Sequence, residues 1–305
     1  MSETEKATAA STAPEPVPAP STDIASSQMT VEQSDKKEAD EPQNSLTERF
    51  TTEEWKALKE PNYRKVFAEG YPDKADAKTT AINLWGVKID PANPIDAKVS
   101  VVLMKFLRIS MSTEARSMLI GTLRWRSEFN VEAAMKEEFP ADIFDPLGHV
   151  YGKDKEDRPV VYNIYGAKNV KVAFSDVQRF LRWRVSLMEK SLALLDFETV
   201  DQTVQIHDYA GVSLSSRDAN SKQAASEASS IFSDHYPELL YKKFFVNVPA
   251  YLTWIFWLFK PLISANTLAK MSVVGSGAPA IGKALLPIID AKEVPKQYGG
   301  EAEGF

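Results

Sequence analysis

The pattern of apolar and polar positions changes character twice along this chain. Up to about residue 44 no apolar period is visible; from Ser45 it runs at helical spacing, and after Pro140 it alternates between strand and helix. Thr51-Thr52-Glu53-Glu54 is a capping-box pattern that opens a helix carrying Trp55, Leu58 and Tyr63. Pro72 and the Pro91–Pro94 stretch punctuate the chain beyond that helix. Asp96–Ile109 and Thr113–Phe129 then read as two consecutive amphipathic helices, so the spacing predicts an all-helical front module of about a hundred residues.

Behind Pro140, Arg158–Ile164 (RPVVYNI) is strand-like. Ser175-Asp176-Val177-Gln178 is a second capping box, opening a long helix to about Leu195. Thr203–Tyr209 is a strand, Arg217–Phe232 a helix rich in Ala and Ser, and Lys243–Val248 and Lys270–Val274 are further strands. This alternation predicts a mostly parallel sheet with crossover helices. Pro249–Leu262 (PAYLTWIFWLFKPL) is apolar nearly all round, too short for a bilayer span and broken by Lys260-Pro261. It reads either as a buried core helix or as a lid that meets lipid.

Composition sharpens this picture. Residues 1–44 hold nine acidic and three basic groups and so carry the entire net charge of −6. They lack aromatic residues and include STAPEPVPAPST, a composition that predicts disorder. The remaining body is neutral and offers no basic field for nucleic acid. Cysteine is absent, which excludes disulfides, zinc–thiolate sites, iron–sulfur clusters and a thiol nucleophile. The three histidines, His149, His207 and His235, are not at zinc-motif spacing. No apolar signal segment opens the chain, so a cytosolic location is expected.

Candidate chemistry is sparse. Gly277-Ala-Pro-Ala-Ile-Gly282-Lys283-Ala284 nearly spells a phosphate-binding loop, but Ala284 stands where a hydroxyl should ligate magnesium. A nucleotide-binding enzyme using Gly277–Lys283 is therefore a remote alternative. No nucleophile elbow, paired carboxylates or dinucleotide fingerprint is present, and the chain reads as a binder, not an enzyme. The strand Thr203–Tyr209 is the most informative segment. Alternation places Thr203, Gln205, His207 and Tyr209 on one face and Val204, Ile206 and Asp208 on the other. A parallel strand buried on both sides is normally aliphatic throughout. This one lines a cavity or belongs to a hydrogen-bonded core network.

Several segments, in order, resemble the CRAL-TRIO lipid-binding family and its fungal phosphatidylinositol transfer branch: MKFLRIS with TLRWRSEF, GKDKEDRPVVY, DHYPELLYKKFFVNVP, WLFKPLISANTLAKM and VPKQYGG. The resemblance implies an α/β fold: a helical N-terminal lobe over 45–139 after the acidic tail 1–44, then a CRAL-TRIO lobe over 140–305 with a mostly parallel sheet. It implies a hydrophobic pocket behind a gating helix that carries Trp254, Trp257 and Phe259. Glu238, Thr267 and Lys270 match the family's phosphoinositide headgroup contacts, whereas Ser110 stands where the family has a headgroup arginine. Thr203-Val204-Gln205 replaces the Ser-x-Thr of phosphatidylcholine-binding members, which implies little phosphatidylcholine exchange.

His207-Asp208-Tyr209 resembles the haem-binding, phosphatidylinositol-specific branch. By that resemblance the cofactor is haem b, with Tyr209 as axial iron ligand and His207 beside it, and Tyr162, Arg182 and Lys243 as further contacts. Arg182 is one of three arginines in RFLRWR, and Lys242 is an alternative to Lys243. The expected partners are phosphatidylinositol and a membrane surface, with peripheral association to endoplasmic reticulum or microsomal membrane and a role in phosphoinositide homeostasis or stress. A lipid exchanger without physiological haem is the alternative.

Overall fold

The computed structural model describes residues 41–59, 66, 69–70, 81–90, 93–109, 113–212, 218–249 and 268–305. Thr267, Ser110 and the aromatic segment with Trp254, Trp257 and Phe259 lie outside them, as does the acidic tail up to residue 40. Pro42–Phe305 forms one compact unit. Its start is tied down by Asn44, which donates through Nδ2 to the Phe197 carbonyl at 3.0 Å.

Helix α1 (Thr52–Lys59) opens on the expected capping box. Glu54 N–H donates to Thr51 Oγ1 at 3.2 Å, and Thr51 N–H donates to Glu54 Oε2 at 3.0 Å. The front module is not all helical. Ile82–Leu84 (β1) and Val87–Ile89 (β2) form an antiparallel hairpin, closed by Trp85 and Gly86 at φ +54° and +86°. That left-handed pair sets the twist of a two-residue turn. Helix α2 (Ala97–Leu107) is capped by Asp96, which accepts from Val99 N–H, and α3 (Thr113–Phe129) follows. These elements pack with Leu192, Leu195, Phe197, Tyr236 and Leu239 into one apolar core, so the front module and the back of the molecule share their interior.

The second part is a five-stranded sheet in the order β3-β4-β5-β6-β7: Gly148–Lys153, Pro159–Ile164, Thr203–Asp208, Leu240–Val246 and Met271–Val273. The first pair is antiparallel and the rest parallel. The long helix α4 (Val177–Leu192) is capped by Asp176, which accepts from Arg179 N–H. Ser175 instead ends the preceding short helix. Asp218 caps α5 (Ala219–His235), and α6 (Ala278–Leu285) closes the set.

On one sheet face, Val160, Tyr162, Val204, Ile206, Phe244 and Val246 pack against Ile281, Leu285, Ile289 and Tyr298. On the other, Val161 meets Phe180, Leu181, Trp183 and Leu187 of α4. The glycines of the phosphate-loop look-alike have packing roles. A Cβ on Gly282 would lie 3.0 Å from the Gly299 carbonyl, Gly277 N–H donates to Asn247 Oδ1 at 3.1 Å, and Lys283 is exposed. That removes the geometric basis for reading the segment as a nucleotide cradle.

Candidate functional site

All six residues of β5 are buried, and the alternation along it is the one the sequence predicts. Val204 and Ile206 enter the apolar layer under α6, and Asp208 on that side accepts from Tyr298 Oη at 2.9 Å. Thr203, Gln205 and His207 face α4. There they meet a chain of neutral hydrogen bonds that ends on a cation. Arg184 Nη1 donates to Asn163 Oδ1 (2.6 Å), Asn163 Nδ2 to Gln205 Oε1 (3.0 Å), and Gln205 Nε2 to Thr203 Oγ1 (3.1 Å). The Tyr165 hydroxyl lies 2.8 Å from His207 Nδ1. Its ring sits 5.6 Å from that of His207 and 5.0 Å from that of Tyr209, and Phe245 flanks both from β6.

The electrostatics of this face are unusual. Elsewhere the fold gives its buried and half-buried cations carboxylates: Arg126 has Glu189, Lys105 has Asp201 and Arg158 has Asp154. Among the described residues Arg184 and Lys243 have none. Burial, reinforced by the Arg184 charge, pulls Lys243 down to about 8. Burial, and then the Lys243 and Arg184 charges, hold His207 well below the usual imidazole range, so it is neutral at pH 7. Burial pushes the phenols of Tyr165 and Tyr209 up. The surface is therefore a phenol, an imidazole and two uncompensated cations at the edge of an apolar layer. It suits an apolar ligand that carries an anionic group.

A depressed lysine pKa has a definite sign. The unfolded chain holds the proton up to about 10.5 and the folded one only to about 8, so the charge destabilises the fold below pH 8 and the penalty fades as pH rises to 10.5. Ligand-free Lys243→Met should therefore be more stable than the wild type at pH 7, by ~1–3 kcal/mol. Urea unfolding at a series of pH values should show the gap closing between pH 8 and 10.5.

Two sequence-predicted contacts are not brought here. Tyr162 lies on the opposite sheet face, stacked on Tyr298 at 5.2 Å and tilted against Phe305 at 5.0 Å, because alternation along β4 sends Asn163, not Tyr162, toward α4. Arg182 points away and is held by Glu137 (2.5 Å) and the Phe129 carbonyl (3.1 Å). Two positions along a helix turn the side chain by about 200°, so Arg184 is the arginine that reaches β5. His207 meets the hydroxyl of Tyr165. Lys243, paired with Gln205, is on the site face, whereas Lys242 pairs with Val204.

At the other end of β5 and β6, roughly 20 Å from Tyr209 by strand rise, Lys270 Nζ donates to Glu238 Oε2 at 2.9 Å. Glu238 has φ +53°, and its carbonyl accepts from Lys105 Nζ at 3.0 Å and Gln202 Nε2 at 3.2 Å. Thus two of the three expected headgroup residues are in contact. Residues missed from sequence are Asn163, Tyr165 and Arg184. The alternation of β4 continued past Ile164 carried the signal for Tyr165. For Arg184 it was its place in the Phe180, Trp183, Arg184, Leu187 stripe.

The sheet is mixed, with one polar inner face and a charged pair at one end of its strands, and residues 147–300 match the CRAL/TRIO domain. The chain belongs to the CRAL/TRIO family. It is 37% identical over 238 residues to the phosphatidylinositol transfer protein sfh5 of Sclerotinia sclerotiorum, covering 72% of this chain and 57% of that one. The corresponding protein of Botryotinia fuckeliana is 36% identical over 72% of this chain and 52% of its own length. The match thus spans little more than half of these relatives. In the phosphatidylinositol transfer protein SFH5 of Cryptococcus neoformans var. neoformans serotype D (strain B-3501A), 34% identical, it spans 80%. The crystal structure of Sfh5 superimposes with a TM-score of 0.67 at 28% identity, covering 82% of this chain and 88% of that one.

Proposed function

We propose that this protein binds phosphatidylinositol, moves it between membranes, and carries haem b on the β5 face. It is a carrier and not an enzyme. The observation that carries the haem reading is the pair of cations without carboxylates among the described residues, Arg184 and Lys243, both acting on His207, two residues before Tyr209. Haem bears two carboxylates on an apolar ring, and a phenolate is an oxygen ligand suited to ferric iron. Among the described residues no three His, Asp or Glu come together as an alternative metal set. Tyr209 would hold the iron, Arg184 and Lys243 the carboxylates, and His207 would support the phenolate. When bound, the group supplies a ferric centre.

Lys270, with Thr267, would hold the phosphate of the inositol headgroup, since a phosphate leaving water needs charge-assisted donors, and Glu238 would accept from the inositol hydroxyls. Little phosphatidylcholine exchange fits the engagement of Thr203 Oγ1 by Gln205. Among the described residues no helix is long and apolar enough to cross a membrane. Cytoplasmic residence with peripheral contact to endoplasmic reticulum or microsomal membrane, through the segment of Trp254, Trp257 and Phe259, completes the reading. A role in phosphoinositide homeostasis or stress is consistent with it.

The absorption spectrum of the purified protein tests the haem half. A brown preparation with a Soret band is expected, and a colourless protein that still transfers phosphatidylinositol would leave a lipid exchanger alone. Lys270→Ala should lower phosphatidylinositol transfer between vesicles about tenfold, the equivalent of ~1.4 kcal/mol, without moving the haem spectrum. Normal transfer by that variant would remove the headgroup assignment.

A further inference from the structure

Tyr165 is neither the proposed iron ligand nor one of the proposed headgroup residues, yet its hydroxyl is the only hydrogen-bond partner of the His207 ring among the described residues. A neutral imidazole has one N–H and one bare nitrogen, and the bond made by one nitrogen decides what the other presents. Of the two possible directions, phenol to Nδ1 is favoured chemically. The phenol O–H is the stronger acid and the unprotonated imidazole nitrogen the stronger base. The reverse direction would leave the Tyr165 hydroxyl hydrogen without an acceptor among the described residues, and Nε2 bare as well.

We infer that Tyr165, by donating to Nδ1, fixes His207 as its Nε2–H tautomer, so that the ring offers a hydrogen-bond donor to an oxygen anion and no lone pair to a metal. Tyr165 is thereby a positioning residue that assigns metal ligation to Tyr209 and support to His207. The consequence for iron rests on the haem reading; the tautomer does not.

The test uses the ligand-free full chain with 15N-labelled imidazoles, near neutral pH. The chain has three histidines, and His207→Gln assigns the signal. The wild type should show Nε2 protonated and Nδ1 bare, by roughly tenfold over the other tautomer. In Tyr165→Phe, which keeps the ring, the ratio should fall toward unity. On adding ferric haem, the wild type should give a phenolate-type spectrum and Tyr165→Phe should gain a component with nitrogen ligation. A bare Nε2 in the wild type, or an unchanged ratio in Tyr165→Phe, overturns the inference. Absence of haem binding with the expected tautomers removes the haem reading and leaves the role of Tyr165 standing.

Discussion

Tyr209→Phe should lose ferric haem affinity by on the order of 100-fold or more, since removing even a supporting partner of a metal ligand costs 10–100-fold. The variant isolates the oxygen. Phenylalanine keeps the ring that packs 5.0 Å from Tyr165 and 6.3 Å from Phe245. The hydroxyl makes no hydrogen bond among the described residues, so its loss breaks none there. Urea unfolding of ligand-free Tyr209→Phe should therefore match the wild type. Burial opposes a phenolate here, and the charge of an iron is what would offset it. His207→Ala should keep haem with an altered spectrum, because its ring supports the phenolate without replacing it. The measurement is a haem titration followed by absorption. A Tyr209→Phe spectrum identical to that of the wild type, or an empty pocket in His207→Ala, would show the roles reversed or the site misplaced.

Glu189→Ala should cost ~3–5 kcal/mol of stability, the usual consequence of stripping a buried cation of its partner. Glu189 is 3% exposed and joins three helical segments. It accepts from Arg126 of α3 at 2.5 and 3.1 Å and from the Tyr236 hydroxyl, just beyond α5, at 2.7 Å. In a body of this size the loss corresponds to a fall in Tm of about 10 °C. Replacing Arg126 and Glu189 together by Met should recover much of it, because neither charge of the pair is then left buried without the other. Calorimetry or urea unfolding of the two variants decides the matter. A single-variant loss below ~1 kcal/mol would mean that water reaches Arg126 and the pair is not a structural clasp.

Much of this architecture was legible from side-chain period. The capping box at Thr51, the alternation of β5 and the parallel strands all express local rules that tertiary packing left intact. The β1–β2 hairpin escaped although Ile82, Leu84, Val87 and Ile89 alternate with Asn83 and Lys88, because three-residue strands are too short for a period to stand out. Arg182 and Tyr162 show a different limit. A resemblance transfers a residue type and an approximate position, but which side of a helix or strand faces the ligand is set by neighbours such as Glu137 and Tyr298. Arg184 and Tyr165, one short step away in sequence, reach the site because their faces do.

The ion pair of Glu238 with Lys270 bears on how a cargo would leave. Each side chain of this pair is about one-fifth exposed, so the lysine is neither fully hydrated nor bare. An incoming phosphate would have to displace a carboxylate already seated on the ammonium, and the same carboxylate would return as the phosphate departs. Glu238 is thus a tethered competitor at high local concentration, trading depth of binding for ease of exchange. In the proposed transfer of lipid between membranes, such built-in competition favours turnover over retention.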